Sequence, residues 1–391
     1  MVYFRFHILY CKILLYSLIR QKSNYLEAKF NIQKVLVAPL DWGLGHATRD
    51  ISLIRALITN GYEVVMGAEG AQASLLQTEF PSLQILPLPG YRVRYSKSKW
   101  GFLFKILMQV PRLRRVIREE NQWLDTIIDQ QRVDIVISDN RFGLHTKKIP
   151  CIFITHQLTV KAPFVWAERI MQRVNYYYIN QFSSCWVPDM AGSENAAGIL
   201  SHPLRLPLTK IQYIGMLSRF HLQAEINQYD YCILLSGPEP QRSLLEEKIL
   251  SGIGSIKGKI LLVRGKPGSN EVIKVPGNVE VRNHLPGPEL QKAILQSEYI
   301  VCRGGYTSLM ELFSLQKKML LIPTPGQTEQ EYLAKKLVEK GFCLSVTQDK
   351  LNCAEHFAMA KNFDYRLPAF SLFTENDIPG LLKKSMDGMA S

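Results

Sequence analysis

Four short stretches concentrate residues able to do chemistry, and each falls where a short apolar run gives way to a helix-patterned one. DWGLGHATRD, residues 41–50, places His46 behind Gly43 and Gly45. An imidazole titrates near neutral pH and can take a proton from a hydroxyl, while the glycines allow a tight turn and close approach of a ligand. SGPEPQR, residues 236–242, offers Gly237 for close backbone approach and Arg242 for phosphate oxygens. CRGGYTSLMEL, residues 302–312, sets Gly304 and Gly305 before a helix that presents Thr307, Ser308 and Glu311. Amides at such a helix end suit an anion, and a carboxylate one turn later suits sugar hydroxyls. PTPGQTEQEYLAKKL, residues 323–337, enters its helix through Gln327, Glu329, Gln330 and Glu331, an amide and carboxylate cluster suited to a polyhydroxylated ligand. Each stretch also has a plain reading: a turn with a surface histidine, a proline-stiffened loop, a solvated glutamate, and a capped polar first turn.

The elements around these stretches say where they lie. VLVAPL before the first is short, β-branched and unalternating, as a strand buried on both faces of a parallel sheet reads. ISLIRALITNGYEV after it repeats apolar residues at helical spacing and ends on Asn60-Gly61, a helix stop. From residue 33 this alternation continues through YEVVMGA, LQILPLP, VDIVISD, CIFIT and SSCWVPD. A Pro-rich break, HPLRLPLTKIQYIGM, with Pro203 and Pro207, reads as a linker. Alternation then restarts with YCILLSG, KILLVRG, VEVRNHL, YIVCRGG, KMLLIPT and FCLSVT. The expected fold is α/β, two doubly wound Rossmann-like domains facing across a cleft, with ligands beyond the carboxyl ends of the strands. The expected boundaries are 31–210 and 211–375, with a tail over 376–391.

The 391 residues suit two domains, and 47% hydrophobic content with 10% aromatics argues against disorder. Seven scattered cysteines without a C-x-x-C pair signal reduced thiols in a cytoplasmic protein, not a disulfide framework or a zinc site. The net charge of +13 is local: residues 1–30 carry +4 and residues 91–118 carry +9, so the remainder is neutral. Residues 1–30 are too short and too charged in their apolar stretch to span a membrane, and read as an upstream extension or an interfacial basic helix.

CRGGYTSLMEL and PTPGQTEQEYLAKKL together carry a family likeness. From about Lys34 to Val346 the chain resembles the GT-B glycosyltransferases, in the branch holding the peptidoglycan N-acetylglucosaminyltransferase and the plant-type galactolipid synthases. The first motif resembles that branch's Cys-Arg-Ser-Gly…Glu signature, and the second its donor-sugar loop. The resemblance implies a nucleotide-sugar donor, a UDP-sugar by preference, on the second domain. Glu311 would bind ribose, Gln330 and Glu331 the donor sugar, and backbone near His284 and Leu285 the base. Gly304, Gly305, Tyr306 and Thr307 would surround the diphosphate, Arg219 would line the donor cleft, and Gly237 is a further donor-binding candidate. His46 is the implied general base, with Asp139 and His156, which follow first-domain strands, next in line, and Gly43 and Gly45 on the acceptor side. Two departures stand out: Gly237-Pro238-Glu239-Pro240 replaces the usual glycine- and serine-containing phosphate loop, and Glu331 stands where an amide is common.

Transfer with inversion needs a base and stabilisation of a leaving diphosphate. No Asp-x-Asp pair is found, and helix N-termini after Gly45, Gly237 and Gly305 can meet the charge, so metal-independent transfer without a cofactor is expected. A nucleotide-sugar epimerase and a non-catalytic nucleotide-sugar-binding subunit are the competing readings. In the basic segment 91–118, Trp100, Phe102, Leu103, Phe104, Ile106, Leu107 and Met108 lie between lysines and arginines. That composition predicts peripheral docking on an anionic membrane surface, the inner face of the cytoplasmic membrane, and a lipid-linked acceptor; a core-packed helix is the alternative. Nucleic acid is not expected, since no base-reading motif accompanies the charge.

Overall fold

A computed structural model describes residues 33–91, 99–162 and 164–387. The first unit is built on strands β1 (Lys34–Pro39), β2 (Glu63–Ala68), β3 (Ile85–Pro87), β4 (Ile135–Asp139), β5 (Cys151–Ile154), β6 (Ser184–Val187) and β7 (Lys210–Tyr213). Among the described residues these form one parallel sheet in the order β3-β2-β1-β4-β5-β6-β7. Helices α1 (Gly45–Thr59), α2 (Gly70–Glu79), α3 (Lys99–Gln131) and α4 (Val165–Ile179) connect its strands. Val35, Leu36, Val37 and Ala38 of β1 are buried on both faces of the sheet, which is why the run does not alternate. α1 buries Ile51, Leu53, Ile54 and Leu57 and stops where Gly61 takes φ +84°. There Tyr62 N–H donates to Leu57 O and Gly61 N–H to Ile58 O, a glycine-closed helix end.

The second unit holds β8 (Tyr229–Leu234), β9 (Ile260–Val263), β10 (Val279–Arg282), β11 (Ser297–Cys302), β12 (Lys318–Leu321) and β13 (Leu344–Ser345). Its sheet is also parallel, in the order β10-β9-β8-β11-β12-β13. Helices α5 (Gln241–Gly252), α6 (Gly287–Leu295), α7 (Tyr306–Ser314), α8 (Thr328–Glu339) and α9 (Cys353–Asn362) pack around it. Both sheets therefore start in the middle and wind outward in two directions, leaving a crevice where the order reverses: β1/β4 in one, β8/β11 in the other.

The Pro-rich segment read as a linker runs on into β7, which pairs with β6 at the edge of the first sheet. The chain crosses to the second sheet after Tyr213 and later returns. Helix α10 (Ile378–Met386) docks on the first sheet, where Ser385 Oγ accepts from Ser184 Oγ, Trp186 Nε1 and Gln212 Nε2. Six cysteines, Cys151, Cys185, Cys232, Cys302, Cys343 and Cys353, are free and buried. Residues 1–32 and 92–98 lie outside the described residues, as do the side chains of 99–110, so the expectations for the N-terminal extension and for the whole apolar block at 100–108 fall there. Among the described residues no helix is long and apolar enough to cross a membrane.

Candidate active site

Strands β1 and β4 lie side by side with Pro39 opposite Asp139, so their carboxyl ends open at one place. The turn after β1 passes through Gly43 at φ +65° and enters α1, whose first turns carry His46, Arg49 and Asp50. Asn140, at φ +59°, turns the chain sharply after Asp139; asparagine tolerates that left-handed geometry better than most residues. His46 Nδ1 lies 3.0 Å from Asp139 Oδ1. Arg49 donates to the same carboxylate through Nε at 2.7 Å and through Nη2.

Arg49 also donates through Nη1 to His156 Nδ1, 3.2 Å away, and His156 Nε2 lies 2.7 Å from Glu329 Oε1 of α8. Donor and acceptor counting assigns the protons. A guanidinium has only donors, so His156 must turn a lone pair to Arg49 from Nδ1 and carry its proton on Nε2, facing Glu329. Asp139, ionised, has only acceptors, so His46 carries its proton on Nδ1 and keeps a lone pair on Nε2. A histidine held in that tautomer by a buried carboxylate is the arrangement of a general base.

The electrostatics agree. Burial lowers His46 below 6.5, with Asp139 opposing and Arg49 reinforcing the shift, so the ring rests neutral and able to take a proton. Burial would raise Asp139, but Arg49 and then His46 hold its carboxyl far below the usual carboxylate range. Asp50 is wholly buried nearby, outside ordinary hydrogen-bond geometry with any described side chain. Burial, and then the Asp139 charge, push its carboxyl well above the usual carboxylate range.

The second unit closes over this cluster. Thr307 Oγ1 donates to Gly45 O at 3.1 Å, and a Cβ on Gly45 would stand 3.2 Å from that same oxygen. Tyr306 stacks on His156 with ring centroids 4.2 Å apart, and its hydroxyl donates to Pro188 O. Tyr306 is buried as a whole. Arg219 Nε donates to Glu311 Oε1 at 2.8 Å, and burial, opposed by Arg219, raises the Glu311 carboxyl.

Gln330 Oε1 accepts from Thr324 N–H and Glu331 Oε1 from Gly326 N–H, so both residues shape the Pro/Gly loop before α8. Gly304 backs onto Gln330, and Gly305 caps the start of α7. Gly237, at φ +102°, approaches Thr324, while His284 is exposed and Leu285 half-buried after β10. Arg242 is turned inward onto Glu239 and Glu246 instead of outward for phosphate. The Glu239 carboxylate of the Gly237-Pro238-Glu239-Pro240 loop pairs with that guanidinium at 2.6 Å.

His46, Asp139, His156, Gly45, Tyr306 and Thr307 thus converge on one place, and Arg219 and Glu311 meet in a second. Sequence reasoning missed Arg49, Asp50 and the pairing role of Glu329. Arg49 sits three residues after His46, a spacing that puts both on one helical face and was the available signal.

Residues 260–358, from β9 into α9, match the glycosyltransferase family 28 C-terminal domain. A UDP-N-acetylglucosamine--N-acetylmuramyl-(pentapeptide) pyrophosphoryl-undecaprenol N-acetylglucosamine transferase from Clostridium botulinum is 20% identical over 328 residues, spanning 78% of this chain and 83% of that protein. A Methanosarcina acetivorans protein described as an uncharacterized glycosyltransferase is 24% identical over 329 residues, 79% of this chain and 82% of its own length. Among solved structures, glycosyltransferase VinC in complex with dTDP superposes with a TM-score of 0.59 at 14% identity, covering 90% of this chain and 99% of that one. Acinetobacter baumannii MurG gives a TM-score of 0.53 at 14% identity, with the same coverage. The chain is a sugar-transferring enzyme of the GT-B fold, resembling the N-acetylglucosaminyltransferase branch and carrying a family 28 C-terminal domain at residues 260–358.

Proposed function

We propose that the enzyme moves a sugar from a nucleotide-diphosphate donor, a UDP-sugar, to a hydroxyl of a lipid-linked acceptor, with inversion and without a metal ion. The observation that carries this reading is the His46–Asp139 pair at the β1/β4 crevice, opposite the Arg219–Glu311 pair of the donor unit. His46 Nε2 takes the acceptor proton as the acceptor oxygen attacks the anomeric carbon from the face opposite the diphosphate. The anomeric C–O bond breaks with its electrons going to the diphosphate, and Asp139 stabilises the imidazolium that forms.

On the donor side, Glu311 binds ribose, amides at Gly304 and Gly305 with Thr307 meet the diphosphate, and Arg219 supplies positive charge. Gln330 and Glu331 order the sugar loop, and backbone near His284 and Leu285 meets the base. The acceptor unit, expected over 31–210, then runs on through β7 to Tyr213, and the donor unit follows to 375. The name of the Clostridium botulinum relative supports UDP; the dTDP held by VinC makes thymidine nucleotides the comparison to run.

A membrane-facing acceptor takes support from the surface of α4. Trp166, Ile170, Val174 and Tyr177 recur at helical spacing and are each at least half exposed. Arg169 and Arg173 lie exposed on the same helix, and Arg112, Arg114, Arg115 and Arg118 on α3. The two helices border one small cluster, since Tyr178 of α4 and Leu113 and Val116 of α3 all pack against Leu40, Tyr91 and Ile117. An apolar stripe flanked by arginines suits the interface of an anionic bilayer.

The test is a thermal-shift screen of UDP-, GDP- and dTDP-sugars followed by turnover with the best binder and lipid-linked or soluble acceptors. A donor that binds and is consumed only with acceptor, in EDTA as well as without it, meets the reading. Donor conversion without acceptor would mark an epimerase, and loss of turnover in EDTA restored by magnesium would reject the metal-free route.

A further inference from the structure

We infer that Glu329 is a positioning residue for the base, acting across the interface between the two units through His156, Arg49 and Asp139 on His46. This deepens the base assignment and rests on it. The side chains form an unbroken hydrogen-bonded line. Glu329 Oε1 meets His156 Nε2 at 2.7 Å, His156 Nδ1 meets Arg49 Nη1 at 3.2 Å, Arg49 grips Asp139, and Asp139 Oδ1 meets His46 Nδ1 at 3.0 Å. Four of these five residues come from the first unit; Glu329 alone comes from the second.

Each link constrains the next. With Glu329 accepting, the His156 proton stays on Nε2 and Nδ1 presents its lone pair to Arg49. Without that acceptor only the 3.2 Å contact from Arg49 selects the tautomer, because the other neighbour of Nε2, Gln157 Nε2, stands at 3.4 Å and supplies no strong acceptor. A proton shifted to Nδ1 would face an Arg49 N–H and drive the guanidinium off its position. Arg49 binds both oxygens of Asp139, so its displacement frees the carboxylate to rotate and releases His46 Nδ1–H.

Two contacts keep Glu329 in place. Thr328 Oγ1 donates to Lys161 O at 3.0 Å, mooring the start of α8 on the segment that follows His156. Gln330, the next residue, holds Thr324 N–H of the sugar loop. One helical turn therefore carries both the residue that shapes the donor loop and the residue that ends the line to the base.

The test uses the full chain labelled with 15N-histidine, with His46→Gln and His156→Gln spectra assigning the two rings. The expected wild-type pattern is a proton on Nε2 of His156 and on Nδ1 of His46. Glu329→Ala should mix the tautomers of His156 and alter the His46 nitrogen shifts, with its Nδ1 proton exchanging faster. Glu329→Gln, whose amide oxygen can still accept from His156, should stay close to wild type. In turnover, Glu329→Ala should lower kcat about tenfold with donor KM within about twofold, and Glu329→Gln should restore it. A His46 spectrum unchanged by Glu329→Ala overturns the inference, as do equal effects of the two variants. These spectra are independent of the base assignment, which fails separately if His46→Ala keeps its turnover. A melting temperature close to wild type checks that the variants fold.

Discussion

Arg49 and Asp139 are both fully buried against each other, Nε donating to Oδ2 at 2.7 Å and Nη2 to Oδ1. The pair lies beside His46 and draws on two different elements, a helix and a strand end.

Removing either charge should therefore cost more than any surface substitution. Arg49→Met leaves a buried carboxylate facing His46 alone, and a broken buried pair of this kind costs about 3–5 kcal/mol. The Asp139 carboxyl should rise from its depressed position, read by carboxyl NMR titration, and the denaturant midpoint should fall. A variant as stable as the parent would mean that the pair is not closed in solution.

His46→Ala should leave donor affinity nearly intact and reduce kcat by about two to four orders of magnitude, the range for a lost general base. Turnover and isothermal titration with the nucleotide sugar separate the two quantities. An unchanged kcat would move the base to another residue.

The pH profile follows from the lowered His46. Protonation removes the base, so kcat/KM should be level through neutral pH and fall only on the acid side of 6.5. The sign for stability is the same. The folded ring binds its proton less readily than the unfolded one, so its contribution is present above 6.5 and lost as pH falls through the folded value. Rates at acid pH must be measured below the melting temperature at each pH. An acid limb centred above 6.5 would contradict the assignment.

Glu311→Ala should act on the other ligand. It removes the proposed ribose contact, which would act in ground and transition states alike, so donor KM should rise more than kcat falls. An unaltered KM would remove Glu311 from the donor site.

Vesicle co-sedimentation checks the α4 surface. Binding should require anionic lipid and weaken with salt, each basic residue near the surface contributing about 1 kcal/mol. Trp166→Ser with Ile170→Ser should reduce it without lowering the melting temperature, because both side chains are more than half exposed. Equal binding to neutral vesicles would favour a soluble acceptor.

Much of the architecture was legible in local pattern. The unalternating VLVAP run, the helical spacing after it and the Asn60-Gly61 stop are properties of neighbouring residues, and they specify β1, α1 and its end without reference to the rest of the chain. The glycine turns at strand ends likewise marked His46, Gly45 and Thr307, because a helix N-terminus beyond a buried strand is a local feature. What joins those turns is not local. His46 finds Asp139 across 93 residues and His156 finds Glu329 across 173, separations set by which strands lie side by side and how the two sheets face each other. Periodicity carries no record of strand order, since every buried parallel strand reads alike. The inward turn of Arg242, the docking of α10 under the first sheet and the clamp of Arg49 on Asp139 were therefore decided by tertiary structure: a buried charge or hydroxyl goes where packing brings it a partner.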